Sequence, residues 1–268
     1  MKKDINRFEW EGNAAITLAA QVVMELDNIN ELDVRNWIDL YEIDIKEFCV
    51  KPQKFTILHQ YIEDTYVFGV DYILDKHFPG SVIGELIPIF DFYKVDYSCV
   101  GKLNEEWLKE ECSGESFEES EEYANQLWLF FKGTLLRVLV HEAFTILYMN
   151  KNFLYEFNLQ LSEKIRELKV SEFPSILKKD GVIARGRFPV WLKDGVKFRD
   201  KGRCQICGTD LTRTFNRDSA ENYDHIIPLE LNGSNDPINI QLTCESCNKS
   251  KGARNTKFVN SYAPFWEL

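Results

Sequence analysis

Two cysteine pairs, Cys204-Gln205-Ile206-Cys207 and Cys244-Glu245-Ser246-Cys247, dictate more about the fold of this chain than any other part of its sequence. Each pair sets two sulfurs on one tight turn, a geometry that tetrahedral zinc accepts with Zn–S distances of about 2.3 Å. The 36 residues between the pairs exceed the gap of a minimal zinc ribbon, so further structure is expected inside the loop that the metal closes. Seven cysteines is an odd total, and paired spacing of this kind reads as metal ligation before disulfides in a reducing cytosol. That places the protein in the cytoplasm. A redox pair is the competing reading, and redox motifs do not come doubled in this way.

The chain of 268 residues has room for one large or two modest domains, and two is the working count. Hydrophobic residues at 44% and charged residues at 28% fit a globular protein with a sizeable core and exclude a disordered or fibrous one. The longest apolar run, Gln126 to Tyr148, is interrupted by Lys132, Arg137, His141 and Glu142, so no membrane span is expected. The opening residues are basic but lead into Glu9 and Glu11 rather than an apolar core, so no secretory leader is expected either.

The net charge of −11 looks wrong for a nucleic-acid enzyme until it is divided along the chain. Residues 185–257 hold 13 Lys and Arg against 9 Asp and Glu, a balance of +4. The remainder holds 19 against 34, a balance of −15. The basic surface is thus concentrated where the cysteine pairs lie.

From Glu11 to about Val170 apolar residues recur three and four apart, as in Ala14-Ile16-Leu18-Ala19-Val22-Val23-Leu26, so residues 1–180 read as an acidic all-α domain. Asn13 is placed to cap the first helix. Pro52 and Pro79 punctuate the middle, and residues 112–116 form a loop before one long helix from Phe117 to Tyr148. A further helix spans Phe153 to Leu168, with Phe157, Leu161, Ile165 and Leu168 on one face. Between Lys178 and Pro189 glycine and cationic residues mix, marking a boundary. Residues 185–268 then form a second domain of turns and brief β-like runs.

Inside the cysteine-closed loop stand Asn222-Tyr223-Asp224-His225-Ile226-Ile227-Pro228-Leu229 and Asn232-Gly233-Ser234-Asn235-Asp236-Pro237, then Asn239-Ile240-Gln241-Leu242-Thr243 running into the second pair. Over roughly Phe188 to Lys257 this pattern resembles the HNH family of ββα-metal nucleases. The resemblance says nothing about the first 180 residues. Together with the helical periodicity of residues 1–180, it implies an α+β protein: a mostly α-helical N-terminal domain followed by a small zinc-stabilised ββα-metal domain. It further implies that Asp224 ligates the catalytic metal, that His225 is the general base, and that Asn239 fills the middle position that braces the loop and helps orient the histidine. Asn248 stands where the third motif position is often a second histidine. That is a departure in which asparagine also serves as a metal ligand.

The same chemistry can be argued from the residues. Phosphodiester hydrolysis needs a nucleophile made at neutral pH, charge neutralisation on the phosphate and help for the leaving alkoxide. One histidine and one hard cation can provide all three. The oxygen donors of Asp224 and Asn248 suit Mg²⁺ or Mn²⁺, whereas the four thiolates of Cys204, Cys207, Cys244 and Cys247 suit a closed, structural Zn²⁺ site. Lys249, Lys251 and Arg254 on a short helix, and Arg199 and Arg203 before the first pair, are the expected phosphate contacts. Arg185, Arg187 and Lys197 extend this second basic group.

The reading is therefore a metal-dependent HNH endonuclease, a hydrolase acting on DNA rather than RNA. By family association its context is bacterial restriction, antiviral defence or a mobile element. A protein partner is expected through the acidic helical domain, and homo-oligomers are compatible with the sequence. Two rivals stand beside it: a zinc-containing nucleic-acid-binding module that has lost catalysis, and a protein-interaction module built on the acidic helices. His141-Glu142-Ala143-Phe144-Thr145 lacks the second histidine of a metalloprotease helix, and His59, His77, Cys49, Cys99 and Cys112 show no ligand spacing.

Overall fold

The computed structural model describes residues 14–29, 38, 43–76, 78–108, 115–212, 220–252 and 255–256. The Asn13 cap, His77, Cys112 and Arg254 lie outside them. In chain order the described helices before the cysteine region are α1 (Ala14–Ile29), α2 (Ile45–Cys49), α3 (Ile57–Asp75), α4 (Pro79–Tyr93), α5 (Glu115–Thr134), α6 (Leu136–Tyr148) and α7 (Lys151–Glu167). The hairpin β1 (Leu177–Lys179) and β2 (Val182–Ile183) follows, then α8 (Val190–Arg199), β3 (Glu221–His225), β4 (Ile240–Cys244) and α9 (Glu245–Lys251). The chain is mostly helical first, with two-stranded sheets toward the C-terminus. No helix among the described residues is long and apolar enough to cross a membrane.

Two compact units form. One combines Met1–Val22 with Ile62–Phe144, and the other Val23–Tyr61 with Thr145–Leu268. In the first, α4 buries Val82, Ile83, Leu86 and Phe90 at helical spacing. Phe90 meets Phe131 edge-on at 5.7 Å between centroids, and Tyr66 meets Trp128 at 5.9 Å. Two polar atoms in this aromatic core find carboxylates: the Tyr66 hydroxyl donates to Glu85 at 2.8 Å and Trp128 Nε1 to Asp71 at 2.8 Å. The helix expected from Phe117 to Tyr148 is two, α5 and α6, joined at Leu135. Gly133 and Thr134, both poor helix formers, stand at the joint, and the Thr134 hydroxyl turns back onto the Phe130 carbonyl at 2.7 Å.

In the second unit α7 starts at Asn150, whose side chain accepts from the Phe153 amide at 3.1 Å, and it buries Phe157, Leu161 and Ile165 completely. The β1–β2 hairpin turns through Asp180-Gly181. Gly181 sits at φ +66°, and a Cβ there would lie 2.6 Å from the Asn232 amide nitrogen, so both conformation and space call for glycine. Strands β3 and β4 pair antiparallel from Glu221 opposite Cys244 to His225 opposite Ile240, and α9 leaves directly from β4. Behind them Leu192, Val196, Leu211, Ile240 and Leu242 form a small core that includes Cys204 and Cys244.

Polar bonds cross the stretch between Lys178 and Pro189 in this unit. Lys151 of α7 pairs with the buried Asp200 at 3.1 Å, and the Asp236 carboxylate accepts the Ile57 amide at 3.0 Å. Residues from the helical part of the sequence therefore hold the cysteine region.

Candidate active site and metal centre

The four paired sulfurs converge. Sγ atoms of Cys204, Cys207, Cys244 and Cys247 all lie within 4.8 Å of one another, and Cys207 Sγ is 3.8 Å from Cys244 Sγ. A tetrahedron with arms of about 2.3 Å has edges of about 3.8 Å, so the donors are spaced for zinc. The first knuckle closes through Gly208 at φ +75°, whose amide donates to Cys204 O at 2.8 Å. The second is the β4–α9 junction, where Cys244 is the helix cap. Burial raises the Cys244 thiol, but hydrogen bonds from Ser246 and the Cys247 amide outweigh it and bring the pKa down to about 6. Cys207 is likewise lowered, with Thr209 bonding its sulfur against the effect of burial. Burial raises the other two, Cys204 and Cys247, so thiolate character is concentrated on Cys207 and Cys244.

Inside the closed loop, Asp224 and His225 end β3. Asp224 is half-buried, and its Oδ2 accepts from Lys251 Nζ at 2.6 Å; the same ammonium also donates to the His225 carbonyl. His225 is 2% exposed, and its ring lies 5.4 Å from that of Phe188. Asn239 ties the following turn together: its Oδ1 accepts the Ile227 amide at 2.8 Å, and its Nδ2 donates to Ile227 O at 3.0 Å and Ser234 O at 2.9 Å. The side chain that hydrogen-bonds the imidazole is another asparagine, Asn235. Asn248 stands half-buried on α9, the helix packed against β3 and β4.

Asn235 fixes the state of the histidine. Its Nδ2 donates to Val50 O at 3.0 Å and Ala184 O at 2.9 Å, and its Oδ1 accepts the Gly186 amide at 3.1 Å, so oxygen and nitrogen cannot be exchanged. His225 Nε2 lies 3.2 Å from that same Oδ1 and must therefore carry a hydrogen to donate. Among the described residues no hydrogen bond takes Nδ1, which is left as the lone-pair nitrogen. Burial drives the imidazole pKa down to about 4, opposed by the Asn235 bond and the Asp224 charge and helped by Arg185 and Lys251, so the ring is neutral at pH 7.

Two expected phosphate contacts are placed elsewhere. Arg199 is buried: its Nε is 2.8 Å from Asp200, another guanidinium nitrogen donates to Ile240 O, and the group lies over the Tyr148 ring. Asp200 keeps a lowered pKa although burial pushes it up, because Arg199 and Lys151 flank it. Arg199 is a core residue holding α8 to β4, and Lys251, 1% exposed, is an internal counter-ion of Asp224. Arg203 and Lys249 are exposed, the latter paired with Glu245 at 2.5 Å. Sequence reasoning assigned no role to Asn235. Its cue is the polar run Ser234-Asn235-Asp236, every residue of which is buried, a pattern seen only once burial is known.

A two-stranded antiparallel ribbon, a helix leaving it, and a thiolate cluster closing the loop around a histidine define a zinc-knuckle ββα module. Comparison with family models matches residues 204–254 to the HNH endonuclease family, and the four-cysteine cluster fits the Cys-zinc type of HNH domain. Comparisons with curated proteins and with solved structures find no match.

Proposed function

We propose that the HNH domain hydrolyses phosphodiester bonds of DNA, with His225 as general base. The observation that carries the reading is the Asn235 clamp. It forces the Nε2–H tautomer and leaves His225 Nδ1 free to accept the proton of an attacking water, one residue from the carboxylate of Asp224. Asp224 and Asn248 offer hard oxygen donors on adjoining elements and would hold Mg²⁺ or Mn²⁺, which supplies charge neutralisation at the phosphate and leaving oxygen. Lys251 orients the Asp224 carboxylate, Asn239 braces the turn that follows His225, and the zinc knuckles hold β4 and α9 in place. Exposed Arg203 and Lys249, with Arg254, would meet the backbone phosphates.

The acidic helical residues supply regulation, assembly or target choice, since their charge opposes direct contact with DNA. A restriction, defence or mobile-element setting fits such a pairing.

Nicking of supercoiled plasmid in Mg²⁺ tests this reading. His225→Ala should lower the rate by at least about 100-fold, the usual scale of a general base. Equal nicking by the two proteins would overturn it, and salt-dependent binding with no cutting by either would favour a binding module.

A further inference from the structure

Beside the buried His225 ring the second unit opens into a cleft of about 760 Å³. Four cations line it: Lys51 from the loop after α2, Arg185 and Arg187 from the stretch after β2, and Lys193 from α8. No acidic residue shares the lining, and among the described residues none of the four is in an ion pair. Elsewhere in this unit Lys197 is taken up by Glu221, Lys179 by Glu230 and Lys249 by Glu245. Arg185 lies over the Phe188 ring and Lys193 over the Tyr223 ring, each at 5.8 Å, so an anion seated there has no carboxylate to displace.

The walls between the charges are apolar and aromatic. Phe188 and Pro189 line the cleft, Val190 beside them is 74% exposed, and the next residue, Trp191, is also exposed. A duplex presents its phosphates on a broad outer surface and keeps its bases stacked inside, so it is too wide to enter a cleft of this volume and gains from neither the apolar wall nor the cations within it. An unpaired strand offers both phosphates and free base faces, and the cleft lies within the size range of pockets that enclose nucleotide-sized ligands. The cleft is also joined to the catalytic histidine. Phe188 contacts the His225 ring, and Asn235 bonds the Gly186 amide, the Val50 carbonyl and His225 Nε2 at once.

We infer that this cleft seats an unpaired stretch of DNA next to the bond to be cut, so that the enzyme prefers substrates with a single-stranded segment at the site. The inference rests on the nuclease reading for its substrate class, and it is tested through binding so that the two can fail separately. The probe is a short fluorescent oligonucleotide, single-stranded or duplex, titrated by anisotropy into the His225→Ala protein in Mg²⁺ without chelator, which preserves the zinc site. Lys51→Glu with Arg187→Glu, both exposed positions, should weaken single-strand binding at least tenfold, flatten its salt dependence and change duplex binding by less than threefold. Unchanged zinc content and thermal midpoint show that the double variant is folded. Unchanged single-strand binding, or an equal loss for both probes, overturns the inference. Plasmid nicking by the unaltered protein combined with either result sinks the cleft alone. Strand-selective binding without any nicking sinks the nuclease reading and leaves the cleft standing.

Discussion

Replacing Asn235 by alanine tests the joint on which the site is built. The carboxamide makes four side-chain hydrogen bonds, to the Gly186 amide, the Val50 and Ala184 carbonyls and His225 Nε2. At roughly 1 kcal/mol net for each, with buried partners left unsatisfied, the loss is about 4 kcal/mol, a large share of the 5–15 kcal/mol that holds a typical domain. Urea unfolding is the assay: with a slope of about 2 kcal/mol per molar, the midpoint should fall by about 2 M. The Asn235→Asp variant separates stability from orientation. Its carboxylate can still accept from Gly186 and His225 but sets a buried charge against two carbonyl oxygens, so its stability should be as poor as that of the alanine variant while its nicking rate per folded molecule recovers toward normal. A loss below about 1 kcal/mol in Asn235→Ala would mean that water replaces the amide and that residue 235 is not the joint.

Removal of the zinc ligand set should reach beyond the HNH segment. Structural zinc commonly contributes on the order of 10 kcal/mol, so Cys204→Ser should strip amide-exchange protection from residues 185–212 and 220–252 and also from α7, which is tied to the knuckle by Lys151 through Asp200 and Gln205. Protection lost only after residue 185 would refute that coupling. Asp236 gives a pH dependence. Burial raises its pKa to about 7 against the hydrogen bonds from Ile238 and Ile57, so the folded state holds a proton that the unfolded chain releases near pH 4. Its contribution is therefore full below about pH 4 and is lost as pH rises to about 7, by up to about 4 kcal/mol. His225, depressed to about 4, acts in the opposite sense between about pH 4 and 6.5, so the measurement is the stability difference between the native chain and Asp236→Asn. That difference should move in favour of the asparagine variant as pH rises, and a flat difference refutes the buried-acid reading.

Why some of this site is legible in the sequence and some is not comes down to whether a role depends on local spacing or on what lies far along the chain. The cysteine pairs were readable because a metal imposes its own distances, and two residues of separation on a turn already satisfy half of them. The α7 face was readable from its period. The burial of Arg199 and Lys251 is not legible in the sequence, because a cation within a basic run has no local mark of it. Each is internal only because one carboxylate, Asp200 or Asp224, comes in with it, and an ion pair that is desolvated as a unit can be buried where a lone charge cannot. Asn235 is the extreme case. Its partners come from residues 49–50, 184–186 and 225, so its function exists only in the folded chain. The same long-range bonds carry Lys51 to the rim of the cleft, which makes the helical part of the sequence a contributor to the site rather than a separate attachment. One buried amide, Asn235, thus ties the His225 ring to the backbone next to Lys51 and on either side of Arg185, joining three distant segments.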